Sequence, residues 1–80
     1  MNNKLTPGRQ LLMEVLDVPE IAAGIPADAD LIVAGINSGD LIRLGLTIED
    51  RTCSPLSDDD LIELQTVSGI DRVLATRTQE

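Results

Sequence analysis

The chain has 80 residues, 42% of them hydrophobic but none aromatic, which makes one small domain at most, with a thin aliphatic core. A net charge of −8, from 14 acidic and 6 basic residues, argues against nucleic acid and anionic lipid as partners and favours a basic protein surface. One cysteine and no histidine exclude an internal disulfide, argue against a mononuclear zinc site, and leave the chain without the common tools of acid–base or thiol catalysis.

The N-terminal Met1-Asn2-Asn3-Lys4 has no apolar run resembling a signal peptide, and no stretch approaches the length of a membrane span. A cytoplasmic protein of one domain over residues 1–80, monomeric and bound to no membrane, is expected. Thr6-Pro7 announces the first helix, with Thr6 as N-cap and Pro7 at a position where its missing N–H costs nothing. Leu11, Leu12, Val15 and Leu16 form its apolar stripe, and Pro19 stops it near Asp17.

From Val18 to Asn37 runs a connection of about 20 residues, long for a compact domain. Its apolar content (Ile21, Ile25, Leu31, Ile32, Val33, Ile36) predicts that it lies packed on the bundle, with room for one short helical turn. A second helix is predicted from Ser38 to about Arg51. A short third helix opens on Ser57-Asp58-Asp59-Asp60, where Ser57 is the cap, Asp60 occupies the box position and the acids suit the helix dipole, and it ends around Leu64. Thr66 caps a fourth, in which Val67, Ile70, Val73 and Leu74 recur on one face; Gly69 weakens it by roughly 1 kcal/mol relative to Ala. The tail after Thr76 is expected to fray. The pattern is an all-α four-helix bundle of three longer helices, a short third one and a long first loop.

Projected at about 100° per residue, the second helix puts Leu41, Leu44, Gly45 and Ile48 toward the core. Ile42, Leu46 and Glu49 fall on a flank, with Ser38 on the same flank at the helix start. A hydroxyl, two spare aliphatics and a carboxylate thus line one edge, as in a docking strip with a reactive point at its end. The plain reading is that Ser38 is only an N-cap and that the aliphatics pack under a loop. A hydrolase is set aside: Gly35-Ile36-Asn37-Ser38-Gly39 has its first glycine one place too early for a nucleophile elbow, and there is no histidine to act as base.

The stretch Asp28-Ala29-Asp30-Leu31, Gly35-Ile36-Asn37-Ser38, Leu41, Leu44, Leu46 and Ile48-Glu49-Asp50 resembles the core of the acyl and peptidyl carrier protein family. The likeness continues through Leu56, Ser57-Asp58-Asp59-Asp60 and Thr66-Val67, and covers Thr6 to about Leu74. It implies the four-helix carrier bundle. It also implies 4′-phosphopantetheine, taken from coenzyme A by a phosphopantetheinyl transferase and attached at Ser38, and a chain that is itself no enzyme. A discrete carrier would hold acyl or aminoacyl cargo as a thioester for loading, modifying and transferring enzymes. A helix N-terminus suits the resulting phosphodiester, and Gly39 leaves the attachment point uncrowded.

Several positions depart from the family. Asn37 stands where Asp is usual, Gly39 where a Leu, Met or Ile is usual, and Thr52 where a Phe or Leu is common, while Arg43 and Arg51 make the helix less negative. These departures suggest secondary metabolism, polyketide or nonribosomal peptide, over fatty-acid synthesis. Asp40, Ile42, Leu46 and Glu49 are the expected partner-binding residues. Asp58, Asp59, Asp60 and Glu63 lack EF-hand spacing and read as a cap and solvated face, not a metal site. Cys53 is expected to be a small semi-buried hydrophobe. The competing hypothesis is an acidic helical adaptor that binds a basic partner unmodified, and a third is a carrier fold that is never loaded.

Overall fold

Chain punctuation decides where the helices fall. In a computed structural model that describes residues 4–77, they are α1 (Pro7–Val15), α2 (Pro19–Ala23), α3 (Ser38–Thr52), α4 (Asp58–Glu63) and α5 (Val67–Arg77). Thr6 caps α1 by accepting the Arg9 amide at 3.3 Å, and Pro7 follows at the first helical position. Ser57 and Asp60 exchange both bonds of a capping box, and Thr66 Oγ1 accepts the Gly69 amide at 2.9 Å. Pro19 ends the first helical pattern and also opens the single turn of α2, because its fixed φ suits a first helical position. The fold is the all-α carrier-type bundle with this extra turn in the long connection.

α1 packs on α5, α2 and α3, and α4 packs on α5. The core is wholly aliphatic: Leu11, Leu12 and Leu16 from the α1 segment, Leu44 and Ile48 from α3, Leu64 just after α4, and Val67, Ile70 and Val73 from α5. Ala22, Ile25, Leu31 and Ile36 add the contribution of the connection, which lies on the bundle as expected. Two backbone bonds stitch it there, Leu31 N–H to the Gln65 carbonyl at 2.8 Å and Ser68 N–H to the Ala27 carbonyl at 2.9 Å. Between buried Leu31 and buried Ile36 the chain makes a tight turn. Asp30 Oδ1 accepts the Ile32 and Val33 amides there, and Gly35 supplies a φ of 112° that side-chained residues rarely adopt.

Arg9 is the one buried charged residue among the described residues. Its Nη1 donates to the carbonyls of Ala22 at 2.6 Å and Ile25 at 2.7 Å, and its Nε to the Lys4 carbonyl at 2.9 Å. Three carbonyls, with no carboxylate, satisfy a guanidinium that closes the end of α2 onto α1. Sequence reading passed over it, although Arg9 lies on the Leu12–Leu16 face at helical spacing.

Two glycines mark close approaches. The Gly8 amide donates to Asp71 Oδ1 at 2.6 Å, where α1 crosses α5. A Cβ at Gly69 would overlap the Glu63 carbonyl. The loss of helix propensity expected at Gly69 is therefore outweighed by a turn between α4 and α5 that no larger residue permits.

Two local expectations are corrected. Cys53 is exposed, not semi-buried, because it is the C-cap of α3 in a left-handed conformation (φ 54°) that turns its side chain away from the core. The tail does not fray at Arg77, whose guanidinium is tied to the α3–α4 loop; residues 78–80 lie outside the described residues. No helix among the described residues is long and apolar enough to cross a membrane.

Candidate functional site

The site starts from the cap of α3. Asn37 and Ser38 are both cap-forming residue types, and the chain uses Asn37: its Oδ1 accepts the Gly39 amide at 2.8 Å, with its own backbone extended. Ser38 is consequently the first helical residue. Its hydroxyl has no hydrogen-bond partner among the described residues, and the residue is exposed. The reading of Ser38 as a mere cap therefore fails, since the capping work falls on its neighbour.

The amides of Asp40 and Leu41 point to the Asn37 carbonyl, while the Ser38 amide has no acceptor among the described residues. One free donor and the positive end of the α3 dipole thus face the space beside the hydroxyl. Gly39 puts no side chain next to it. These features fit a phosphodiester on Ser38 Oγ: solvent access for a bulky group, local positive potential and no steric competitor.

From Ser38 a cleft of ≈ 300 Å³ runs between the connection, α3 and α4, walled by Ile32, Leu41, Ile42, Leu61, Leu64 and Gln65. A second hollow of ≈ 210 Å³ continues it past Ile42, Gly45, Leu46, Glu49, Leu56 and Leu61. Two larger hollows, of ≈ 380 and ≈ 400 Å³, flank Pro7 and Leu74 on the other side of the bundle and share no residue with the Ser38 cleft. They contain no exposed nucleophile placed at a helix start.

The expected docking residues separate into two groups. Ile42 and Leu46 stand out at 66% and 60% exposure along the edge that Ser38 begins. Glu49 lies on the same edge, but its Oε2 accepts the Leu56 amide at 2.8 Å and so holds the α3–α4 loop. Asp40 projects on the opposite flank, 3.7 Å from Arg43, whose guanidinium also donates to the Val15 carbonyl. Arg51 likewise turns to α1, meeting Glu14 at 2.7 Å. Both arginines thus point away from the Ser38 edge, so their charge offsets acids elsewhere on the bundle, Asp40 and Glu14.

Ile32 and Leu61 complete an apolar margin that sequence reading missed, and Ile62 stands exposed next to Leu61 on α4. The signal was present: Leu31-Ile32-Val33 and Leu61-Ile62 each hold more aliphatics than one buried face can use. No group of three or more His, Cys, Asp or Glu side chains among the described residues could hold a metal ion.

Residues 9–73 match the family described as "Phosphopantetheine attachment site". The chain belongs to this family of acyl and peptidyl carriers. Its prosthetic group is a covalently attached 4′-phosphopantetheine, and the protein is a phosphopantetheine-bearing carrier. Carriers of this kind generally meet a phosphopantetheinyl transferase and acyl-handling enzymes. None of the curated proteins or solved structures compared with the chain matches it.

Proposed function

We propose that Ser38 is the attachment residue and that the chain, as a single carrier domain, holds acyl or aminoacyl groups as thioesters in a secondary-metabolic assembly in the cytoplasm. The observation that carries the reading is the spare Ser38 hydroxyl: exposed, unbonded within the described chain, and set at the positive end of a helix that Asn37 caps. A transferase supplies the base and Mg²⁺. Ser38 Oγ attacks the pyrophosphate of coenzyme A, its proton passes to the enzyme's base, the new P–O bond forms, and the nucleotide half leaves. The carrier contributes position and potential, so its lack of histidine costs nothing. The arm's terminal thiol, not Cys53, then bears the cargo. No catalytic residue is assigned to this chain.

Ile42 and Leu46 are the proposed docking contacts, their apolar side chains free beside the attachment point. Glu49 contributes charge to that face while holding the Leu56 amide, and Asp40, on the opposite flank beside Arg43, is proposed as a separate polar contact. A basic, partly apolar enzyme surface is the complement. Asn37 and Gly39, which replace the family's usual Asp and bulky aliphatic, support a specialised partner set.

The test is intact-mass measurement after incubation with coenzyme A, Mg²⁺ and a broad-range phosphopantetheinyl transferase. One phosphopantetheinyl adduct is expected on the wild type and none on a folded Ser38→Ala variant. An adduct that persists in that variant, or none on the wild type, overturns the assignment. The pathway assignment fails separately if ordinary fatty-acid enzymes extend the loaded protein as efficiently as their own carrier.

A further inference from the structure

Arg77 closes the described part of α5 and lies beyond the 9–73 segment that the family match covers. Its guanidinium gathers three pieces of chain. Nη1 donates to Thr52 Oγ1 at 3.2 Å and the Ser54 carbonyl at 2.8 Å; Nη2 donates to the Pro55 carbonyl at 2.6 Å and to Asp60 Oδ2 at 3.2 Å. The end of α3, the loop after it and the first turn of α4 therefore share one cation. Its side chain is 11% exposed, so the guanidinium is held more firmly than in an ordinary surface pair, although the Ser54 and Pro55 carbonyls it meets lie at the exposed surface.

α4 needs such a hold. None of its own six residues is buried, and only Leu64, just after it, enters the core. At its far end Glu63 is bound by Arg72, also from α5, at 2.7 Å. Yet α4 supplies Leu61, which lines both the cleft at Ser38 and the hollow that continues it. A helix with little burial is thus a wall of the site, and polar bonds from α5 fix where that wall stands.

We infer that Arg77 is a positioning residue for the Ser38 cleft: it clamps the α3–α4 loop and α4 against α5, and so sets the width of the apolar cleft beside the attachment hydroxyl. Any consequence for loading rests on the Ser38 assignment, but the clamp itself does not. Without Arg77, Asp60 keeps its capping box with Ser57, so α4 remains a helix while losing its anchor. The expected change is displacement of an intact element, with the framework of α1, α3 and α5 retained.

Hydrogen exchange on the unmodified full chain tests this. In Arg77→Gln the amides of Leu61 to Gln65 are expected to exchange about ten-fold faster or more, while those of Leu44, Ile48 and Ile70 keep their wild-type rates. Asp60→Asn retains the cap acceptor and the carbonyl bonds of Arg77 but loses the charge pair, and gives a smaller change in the same segment. Arg51→Gln breaks an ion pair of α1 with α3 and leaves the segment unchanged. Unaltered exchange over residues 61–65 in both clamp variants overturns the inference. So does acceleration spread evenly over the core, which marks general destabilisation. Should Arg77→Gln not fold, the segment-specific response of Asp60→Asn decides alone. With holo-protein formation as a second readout, Arg77→Gln is expected to raise the transferase KM several-fold at nearly constant kcat. A wild type that takes no adduct would refute the Ser38 assignment and leave the exchange result standing.

Discussion

The α1–α5 side of the molecule and the α3–α4 edge are built by different means. On the first side the chain comes together so closely that glycine is required: Gly8 gives its amide to Asp71, and α1 carries a buried guanidinium that takes up the carbonyls at the end of α2. On the second, Ile42, Leu46, Leu61 and Ile62 stand exposed, and α4 buries no residue of its own. The first side is held by close packing and by side chains tied to carbonyls of the chain. The second has the spare hydroxyl, with apolar surface left uncovered around it. Packing closes one face, while the other keeps apolar surface exposed beside an unbonded hydroxyl.

The sharpest way to break this contrast is at Gly69, where the two sides meet. Gly69→Ala pushes a Cβ into the Glu63 carbonyl, and a loss of about 3 kcal/mol in urea denaturation is expected. A neutral result would mean that the α4–α5 turn yields easily, and that the framework is no firmer than the edge.

Next in size is Arg9→Met. The aliphatic part is retained while the Ala22 and Ile25 carbonyls lose a shared donor, which costs about 2 kcal/mol. Urea denaturation at neutral pH measures it. Unchanged stability would show that α2 finds other donors and does not need the buried cation.

Ile42→Asp sharpens the comparison from the other side. The side chain is 66% exposed, so unfolding free energy is expected to stay within about 0.5 kcal/mol of wild type. The transferase reaction is expected to lose about ten-fold in kcat/KM through KM, as befits a lost binding contact, equivalent to about 1.4 kcal/mol. A large stability loss with unaltered kinetics would reassign Ile42 to the core.

How much of this was legible in the sequence depends on how many residues could fill each structural role. The starts of α1, α4 and α5 were readable because each cap comes with a second signal: Pro7 after Thr6, the box residue Asp60 after Ser57, and the apolar stripe after Thr66. The start of α3 offered two adjacent candidates, Asn37 and Ser38. Composition cannot rank them, yet the whole functional reading turns on which is free. α2 was only glimpsed, because one turn is too short to show periodicity and Pro19 reads equally as a stop. Arg9 and Arg77 were missed for another reason: what makes them important is the set of carbonyls around them, and backbone acceptors leave no trace in side-chain pattern. Ser38, Ile42 and Leu46 were visible because the helix that bears them is long enough to have a clear second face.

The smallest expected effect concerns pH. The Ser57 amide, and then the Arg77 guanidinium, hold the Asp60 carboxyl below its ordinary value of 3.8. Its folded-state affinity for protons is lower than in the unfolded chain. Its contribution is therefore complete above the ordinary value and fades only as pH falls through the lower folded one. Carbon-detected titration should give Asp60 a midpoint under 3.8 in the wild type and a higher one in Arg77→Gln. A midpoint that ignores Arg77 would detach α4 from the clamp.

The two main-chain bonds that pin the long connection, Leu31 to Gln65 and Ala27 to Ser68, bear on how such a surface can change over time. Main-chain bonds do not depend on side-chain identity. Residues such as Ile32 and Val33 can therefore drift through successive substitutions without the segment leaving its seat. The surface beside the exposed Ser38 hydroxyl can thus be altered while the scaffold beneath it is inherited unchanged.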